Sequence, residues 1–429
     1  MRLTSSAPPH KLRSFARQVW RAARRFLLAI EAAFLPPQLD AALRRSIVRG
    51  RLRRLREPIA RQFARIQEIR SAASSPRATI LFLPGLDWHV PLFQRPQQMA
   101  RALGRRGALV FYIQPPAFER EGTITEIEPR IFLSAVPVEA FREVENAWHY
   151  VLTWNARRYL PAFERPRIIY DYVDDIAAFH GNPGAMRQDH RRLLAQAEIV
   201  LVTAQVLYDE VTRARPDALL VANGVEYGHF ARGRREARGN PPPDLAPVVA
   251  KGRPIVGYHG ALARWFDYDL VAEVARRRPD LSFVLIGPDF DFSLRDTRLL
   301  GLPNVTWLGA HPYSELPQYL AWVEVGIIPF RQSAVTHATS PIKLFEFMAA
   351  HIPTVITPMK ESMRYPLAIV ADTPEAWSRA IDSALARGQE EAFRMRLDAE
   401  ARANTWDARA EQLLAALAAP RPGRSAPSR

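Results

Sequence analysis

The chain contains no cysteine, so disulfides, thiolate metal sites and cysteine nucleophiles are excluded together. It also lacks an apolar run long enough to cross a bilayer. The longest in the basic N-terminal segment, around residues 26–35, contains Glu31 and ends at Pro36-Pro37, well short of the roughly 20 residues that a spanning helix needs. No clean apolar stretch ending in a small-residue cleavage site opens the sequence, which predicts an intracellular, cytoplasmic protein. No phosphate-binding P-loop, complete zinc motif or nucleophile elbow occurs. What remains is an ordinary globular composition, 48% hydrophobic and 24% charged over 429 residues, enough for two or three domains at the usual ~150 residues each.

Acidic residues are scarce in one place only. Residues 1–78 hold 18 Lys/Arg against 4 Asp/Glu, a net of +14, and the rest of the chain holds 41 against 40. The basicity therefore belongs to an appendage, and a nearly neutral body predicts no nucleic-acid partner. Leu12, Phe15, Val19, Ala23, Phe26, Leu27, Ile30 and Phe34 recur at helical spacing, with Arg13, Arg17, Arg21, Arg24 and Arg25 between them. A second basic segment covers 41–70. Basic amphipathic helices suit an anionic membrane surface, so residues 1–70 are expected to hold the protein on the inner face of the cytoplasmic membrane. Packing on the body, partner binding and an RNA-binding arm are the other readings of the same pattern.

From Ala78 strands and helices alternate, which predicts mainly parallel sheets covered on both faces. The pattern divides the chain into a basic extension (1–77), a first Rossmann-like domain (78–230), a Pro- and Gly-rich linker (231–252) and a second Rossmann-like domain (253–403). A helix at 404–418, expected to pack back on the first domain, and a disordered tail (419–429) follow. Late in the second domain lies Ser340-Pro341-Ile342-Lys343-Leu344-Phe345-Glu346. Ser340 reads as an N-cap with Pro341 at the first helical position, and Leu344, Phe345 and Met348 give an apolar face. Lys343 and Glu346, three apart, share one side of that helix. Free N–H groups and a lysine in the first turn suit a phosphate, and a glutamate one turn deeper suits sugar hydroxyls.

Four stretches resemble the GT-B glycosyltransferases, in particular the retaining, group 1-like enzymes of bacterial surface polysaccharide and lipopolysaccharide synthesis. They are Phe82-Leu83-Pro84-Gly85-Leu86-Asp87-Trp88 with Phe93-Gln94-Arg95-Pro96-Gln97-Gln98; Tyr170-Asp171-Tyr172-Val173-Asp174-Asp175; Val221-Ala222-Asn223-Gly224-Val225-Glu226; and the span from Ile255 to Val355. The resemblance covers about 340 residues. It implies two facing doubly wound parallel-sheet domains, the first binding a glycan or lipid-linked acceptor and the second a nucleotide-sugar donor, with no cofactor and no metal.

By that resemblance Gly287 and the loop 309–311 lie near the base, Glu346 holds the ribose, and Ser340, Ile342, Lys343 and Arg264 meet the diphosphate. His259, Gly260 and His337 complete the donor set; Gly85, Trp88 and Arg95 face the acceptor or cleft. His89, Asp87 and Asp175 are the candidates for positioning the acceptor hydroxyl. One departure stands out: many retaining members carry a second glutamate eight positions before Glu346, where this chain has Ala338. The Asp289-Phe290-Asp291 triplet spells a metal motif of another glycosyltransferase fold, but two spaced carboxylates make an incomplete site. A nucleotide-sugar 2-epimerase and a catalytically idle adaptor at the membrane are the alternative functions for the same fold.

Overall fold

The computed structural model describes residues 59–90, 92–115, 123–178 and 183–419. The amphipathic segments expected before residue 59, and nearly all of the expected tail, lie outside the described residues. Helix α1 (Ile59–Ala72) is described, and its Ile66 and Ile69 are buried in the core of the first domain. The end of the basic extension is thus built into the folded body.

Sheet one contains β1 (Thr79–Phe82), β2 (Leu109–Ile113), β3 (Ile124–Glu128), β4 (Ile131–Ser134), β5 (Trp148–Val151), β6 (Arg167–Tyr172), β7 (Ile199–Val202) and β8 (Leu219–Leu220). Their order is β3-β4-β2-β1-β5-β6-β7-β8, parallel except for β3 against β4. Ile80, Leu81 and Phe82 of β1 are buried because helices cover both faces, as continuous apolar runs require. The β3 edge strand was not legible: Thr125 and Glu126 are exposed and no clean alternation marks it.

Sheet two is entirely parallel: β9 (Ile255–His259), β10 (Ser282–Ile286), β11 (Val305–Gly309), β12 (Val325–Ile328), β13 (Thr354–Ile356) and β14 (Ile369–Val370), in the order β11-β10-β9-β12-β13-β14. In both sheets the strand order reverses beside the first strand, β1 and β9 respectively, and such reversals open a crevice at strand C-terminal ends.

Helix α2 (Arg95–Arg105) follows β1, α3 (Gln205–Val211) follows β7, α4 (Tyr268–Arg277) follows β9, and α5 (Ile342–Ala349) follows β12. The chain ends in α6 (Pro374–Arg387), α7 (Glu391–Ala403) and α8 (Trp406–Ala418). Trp406, Ala410, Leu413 and Leu414 of α8 lie in the core of the first domain. The segment 231–252 is fastened to the second domain by Arg234 on Asp398, Arg238 on Glu324 at 2.6 Å, and Tyr319 donating to Asp244 at 3.0 Å.

Candidate functional site

The site starts from two glycines. β9 ends at His259, and Gly260 turns the chain at φ +121°, a conformation that favours glycine. A Cβ there would come within 2.3 Å of Cε of Lys343, so the lysine stem lies directly across the glycine. Gly287, after β10, has φ +148°, and a Cβ on it would sit 1.8 Å from the Gly260 carbonyl oxygen. The two strand ends are pressed together beneath one cation.

That cation comes from the first turn of α5. Pro341, not Ser340, is the N-cap, and the helix begins at Ile342. The residue before a proline disfavours helical backbone, and the Ser340 hydroxyl is engaged elsewhere. Lys343 Nζ lies 5.5 Å from the Tyr258 ring centroid and 5.4 Å from that of Phe330, and among the described residues it has no ion-pair partner. Burial lowers its pKa, and the Glu346 carboxylate only partly opposes this.

Glu346 is 5% exposed, and burial pushes its carboxyl up to about 8, with Lys343 working against the rise and Glu226 adding to it. His259, 2% exposed, stands with Nε2 at 3.5 Å from the Glu346 carboxylate. Burial, with help from Lys343, lowers its pKa to about 3, so the imidazole is neutral and this contact is not an ion pair. Among the described residues its Nε2 has no hydrogen-bond partner. A desolvated cation beside a carboxyl poised between donor and acceptor is chemically suited to a phosphate next to a diol.

The other expected donor residues divide. Gly287 donates its N–H to Gly309 at 2.6 Å and accepts from Trp307 Nε1 at 2.8 Å. His311, in the 309–311 loop, is held by Asp244 at 3.1 Å and Glu315 at 3.5 Å. Ile342 packs against the core of the first domain. His337 accepts from the Lys360 N–H at 3.4 Å. Ser340 is buried against Asn223.

Arg264 stands apart: its side chain is 80% exposed, with Nε 3.7 Å from Asp291. It borders an open cavity of about 1000 Å³, also lined by Tyr268, Asp291 and Arg331, that Lys343, Glu346 and His259 do not reach. The Asp289 and Asp291 carboxylates cap their own turn, accepting from Leu294 and Ser293 at 3.2 Å each.

In the first domain Gly85 ends the β1 turn, where a Cβ would meet Asn155 Nδ2 at 3.2 Å. Trp88 packs edge-on against Phe93 and Tyr112, at 5.4 and 5.0 Å. Asp87 is buried and accepts from the His89 N–H at 3.0 Å, while His89 itself is exposed. Asp175 accepts from the Ala177 N–H at 2.8 Å. Beside it burial raises the Asp174 carboxyl to about 7, against the pull of Arg95. Arg95 does not line an open cleft: it is 4% exposed and forms a double contact with Asp171, which is 0% exposed. The sequence reading passed over Asp171, Tyr150 and Asn223 as chemically active; Asp171 and Asn223 lie inside quoted motifs, but their pairing exists only across 76 and 128 residues from Arg95.

Comparison with known proteins follows this geometry. Residues 253–387 match the family model described as "Glycosyl transferases group 1". The putative teichuronic acid biosynthesis glycosyltransferase TuaH of Bacillus subtilis is 29% identical over 269 residues, 58% of this chain and 66% of the relative, just under two thirds of its length. Sucrose-phosphate synthase from Thermosynechococcus elongatus superposes with a TM-score of 0.58 at 16% identity, covering 78% of this chain and 97% of that one. HepE of Anabaena, solved with UDP and glucose, gives 0.56 at 16% identity over 79% and 98%. At such identities the structures speak for the fold alone. Residues 253–387 thus match a group 1 glycosyltransferase model, and the chain has the GT-B fold that its motifs resemble.

Proposed function

We propose that the protein transfers a sugar from a nucleoside-diphosphate sugar to a glycan or lipid-linked acceptor in cell-surface polysaccharide synthesis. The observation that carries this is the desolvated Lys343, without an ion-pair partner among the described residues, beside Glu346 and His259 at strand ends facing a second domain. Lys343 and Arg264 would neutralise the leaving diphosphate, Glu346 would hold the ribose, and transfer would proceed with retention and without a metal. The name of TuaH and the UDP held by HepE support the class of reaction and make UDP the first nucleotide to try. Thermal-shift titration should show UDP raising the melting temperature, because a ligand that binds only the native state stabilises it. Release of nucleoside diphosphate from a sugar nucleotide should require added acceptor. A panel of nucleoside diphosphates without any shift would remove the reading.

We also propose that residues 1–58 bind the anionic inner face of the cytoplasmic membrane, beside the acceptor domain to which α1 is packed. Vesicles containing anionic lipid should float the full chain and leave behind a variant lacking residues 1–56, which keeps Ile66 and Ile69. Equal flotation of the two defeats this assignment.

A further inference from the structure

Asn223 stands where three parts of the molecule meet. Its segment is fixed by the start of α8: Val225 N–H donates to Asn404 at 2.9 Å and Trp406 N–H to Val225 at 3.1 Å. A Cβ on Gly224 would lie 2.9 Å from backbone atoms of Asn404 and Trp406, so only glycine allows this approach. From the first domain, Arg95 Nη1 donates to Asn223 Oδ1 at 3.2 Å. Towards the second domain Asn223 offers two donors: its N–H to Ser340 Oγ at 3.2 Å and its Nδ2 to the Ser340 carbonyl at 2.7 Å. The amide orientation is thereby settled, since the flipped amide would set donor against donor at Arg95 and acceptor against acceptor at Ser340.

The consequence falls on the Ser340 hydroxyl. A hydroxyl has one proton and two lone pairs. The Asn223 N–H occupies a lone pair, so the proton is left to donate, and Ser340 immediately precedes the helix that carries Lys343.

We propose that Asn223 is a positioning residue that makes the Ser340 hydroxyl a committed hydrogen-bond donor to an oxygen of the sugar nucleotide's diphosphate, so that seating of the first domain against the second completes the donor site. This rests on the glycosyltransferase reading. It gives the Asn223 side chain a task separate from packing: its Oδ1 accepts from the fixed Arg95 and its Nδ2 holds the Ser340 carbonyl, so that the main-chain N–H of Asn223 stays on the Ser340 hydroxyl.

Asn223→Asp tests the link, because it keeps an oxygen for Arg95 while placing a second oxygen against the Ser340 carbonyl. In the full chain, with melting temperature confirming the fold, UDP binding should weaken about tenfold, comparable to Ser340→Ala. The double variant should bind no worse than Ser340→Ala, since residues acting through one contact are not additive. Ser340→Thr, which keeps the hydroxyl, should bind UDP like the parent, and Asn223→Ala, which removes the amide without adding charge, takes the place of Asn223→Asp should that variant fail to fold. Parental UDP affinity in a folded Asn223→Asp or in Ser340→Ala, or losses that multiply in the double variant, would overturn the proposal. Lys343→Ala separates the two readings: if it too binds UDP normally, the donor site itself is misassigned, whereas a loss there with none in Asn223→Asp removes only the role of Asn223.

Discussion

Two dry, ionisable clusters lie in this protein, and the same burial ends differently in each. In the first domain burial works to lower the Arg95 pKa, but Asp171 outweighs it and the guanidinium stays charged. The contacts explain why: Nε and Nη2 meet both Asp171 oxygens at 2.7 and 3.0 Å, and Nη1 donates to Ala222 and Asn223 at 3.2 Å each. Tyr150 supplies a further donor to Asp171. At the Lys343 cluster burial wins, pushing Glu346 up and Lys343 down. The same desolvation is tolerated as ionised charge where every partner is internal, and drives groups toward neutrality where the partner must come from outside. Lys11, Lys251, Lys343 and Lys360 are the chain's only lysines, so a buried lysine in so arginine-rich a sequence is itself a departure from the rule of composition.

The largest effect that can break this comparison is on stability. Arg95→Ala or Asp171→Ala leaves an uncompensated buried charge and should cost about 3–5 kcal/mol, read as a fall in the denaturant midpoint. A loss under 1 kcal/mol would mean that the pair is not structural. Lys343→Ala should show the reverse pattern. Removing a preorganised cation should lower turnover by about 10²–10³-fold. Stability should hold or rise, because no internal partner is orphaned. If Lys343→Ala destabilises as strongly as Arg95→Ala, the distinction between the clusters fails.

How much of this the sequence carried depends on the range of the contact. The βα alternation and the helix bearing Lys343 and Glu346 follow from local periodicity, and a three-residue spacing is enough to put both side chains on one side. His259 was legible as a strand end. The fates of Arg95 and Ser340 were not, because their partners lie 76 and 117 residues away and no periodic signal links them. The expected N-cap at Ser340 failed for the same reason: a local rule assigned its hydroxyl to the helix, whereas Asn223 claims it. Ala338 is buried in the core cluster of the first domain, which gives the absence of an acidic side chain there a packing reason that only the folded chain displays.

The smallest effect probes the protonation of Glu346. Its carboxyl ordinarily titrates near 4.5 and here near 8, so between these values the native state holds a proton that the unfolded chain has released. Unfolding then liberates a proton, and the stability this group contributes, complete below pH 4.5, declines as pH rises through 8. His259 acts over another range and with the opposite sign: held neutral down to about pH 3, it costs stability as pH falls below its ordinary 6.5. Glu346→Gln removes the first slope and leaves the second. Urea midpoints at pH 6.5, 7.25 and 8 should therefore fall with pH in the parent more steeply than in Glu346→Gln. Parallel slopes would show that Glu346 is ionised, and the Lys343 cluster would then be an ordinary ion pair like that of Arg95 and Asp171.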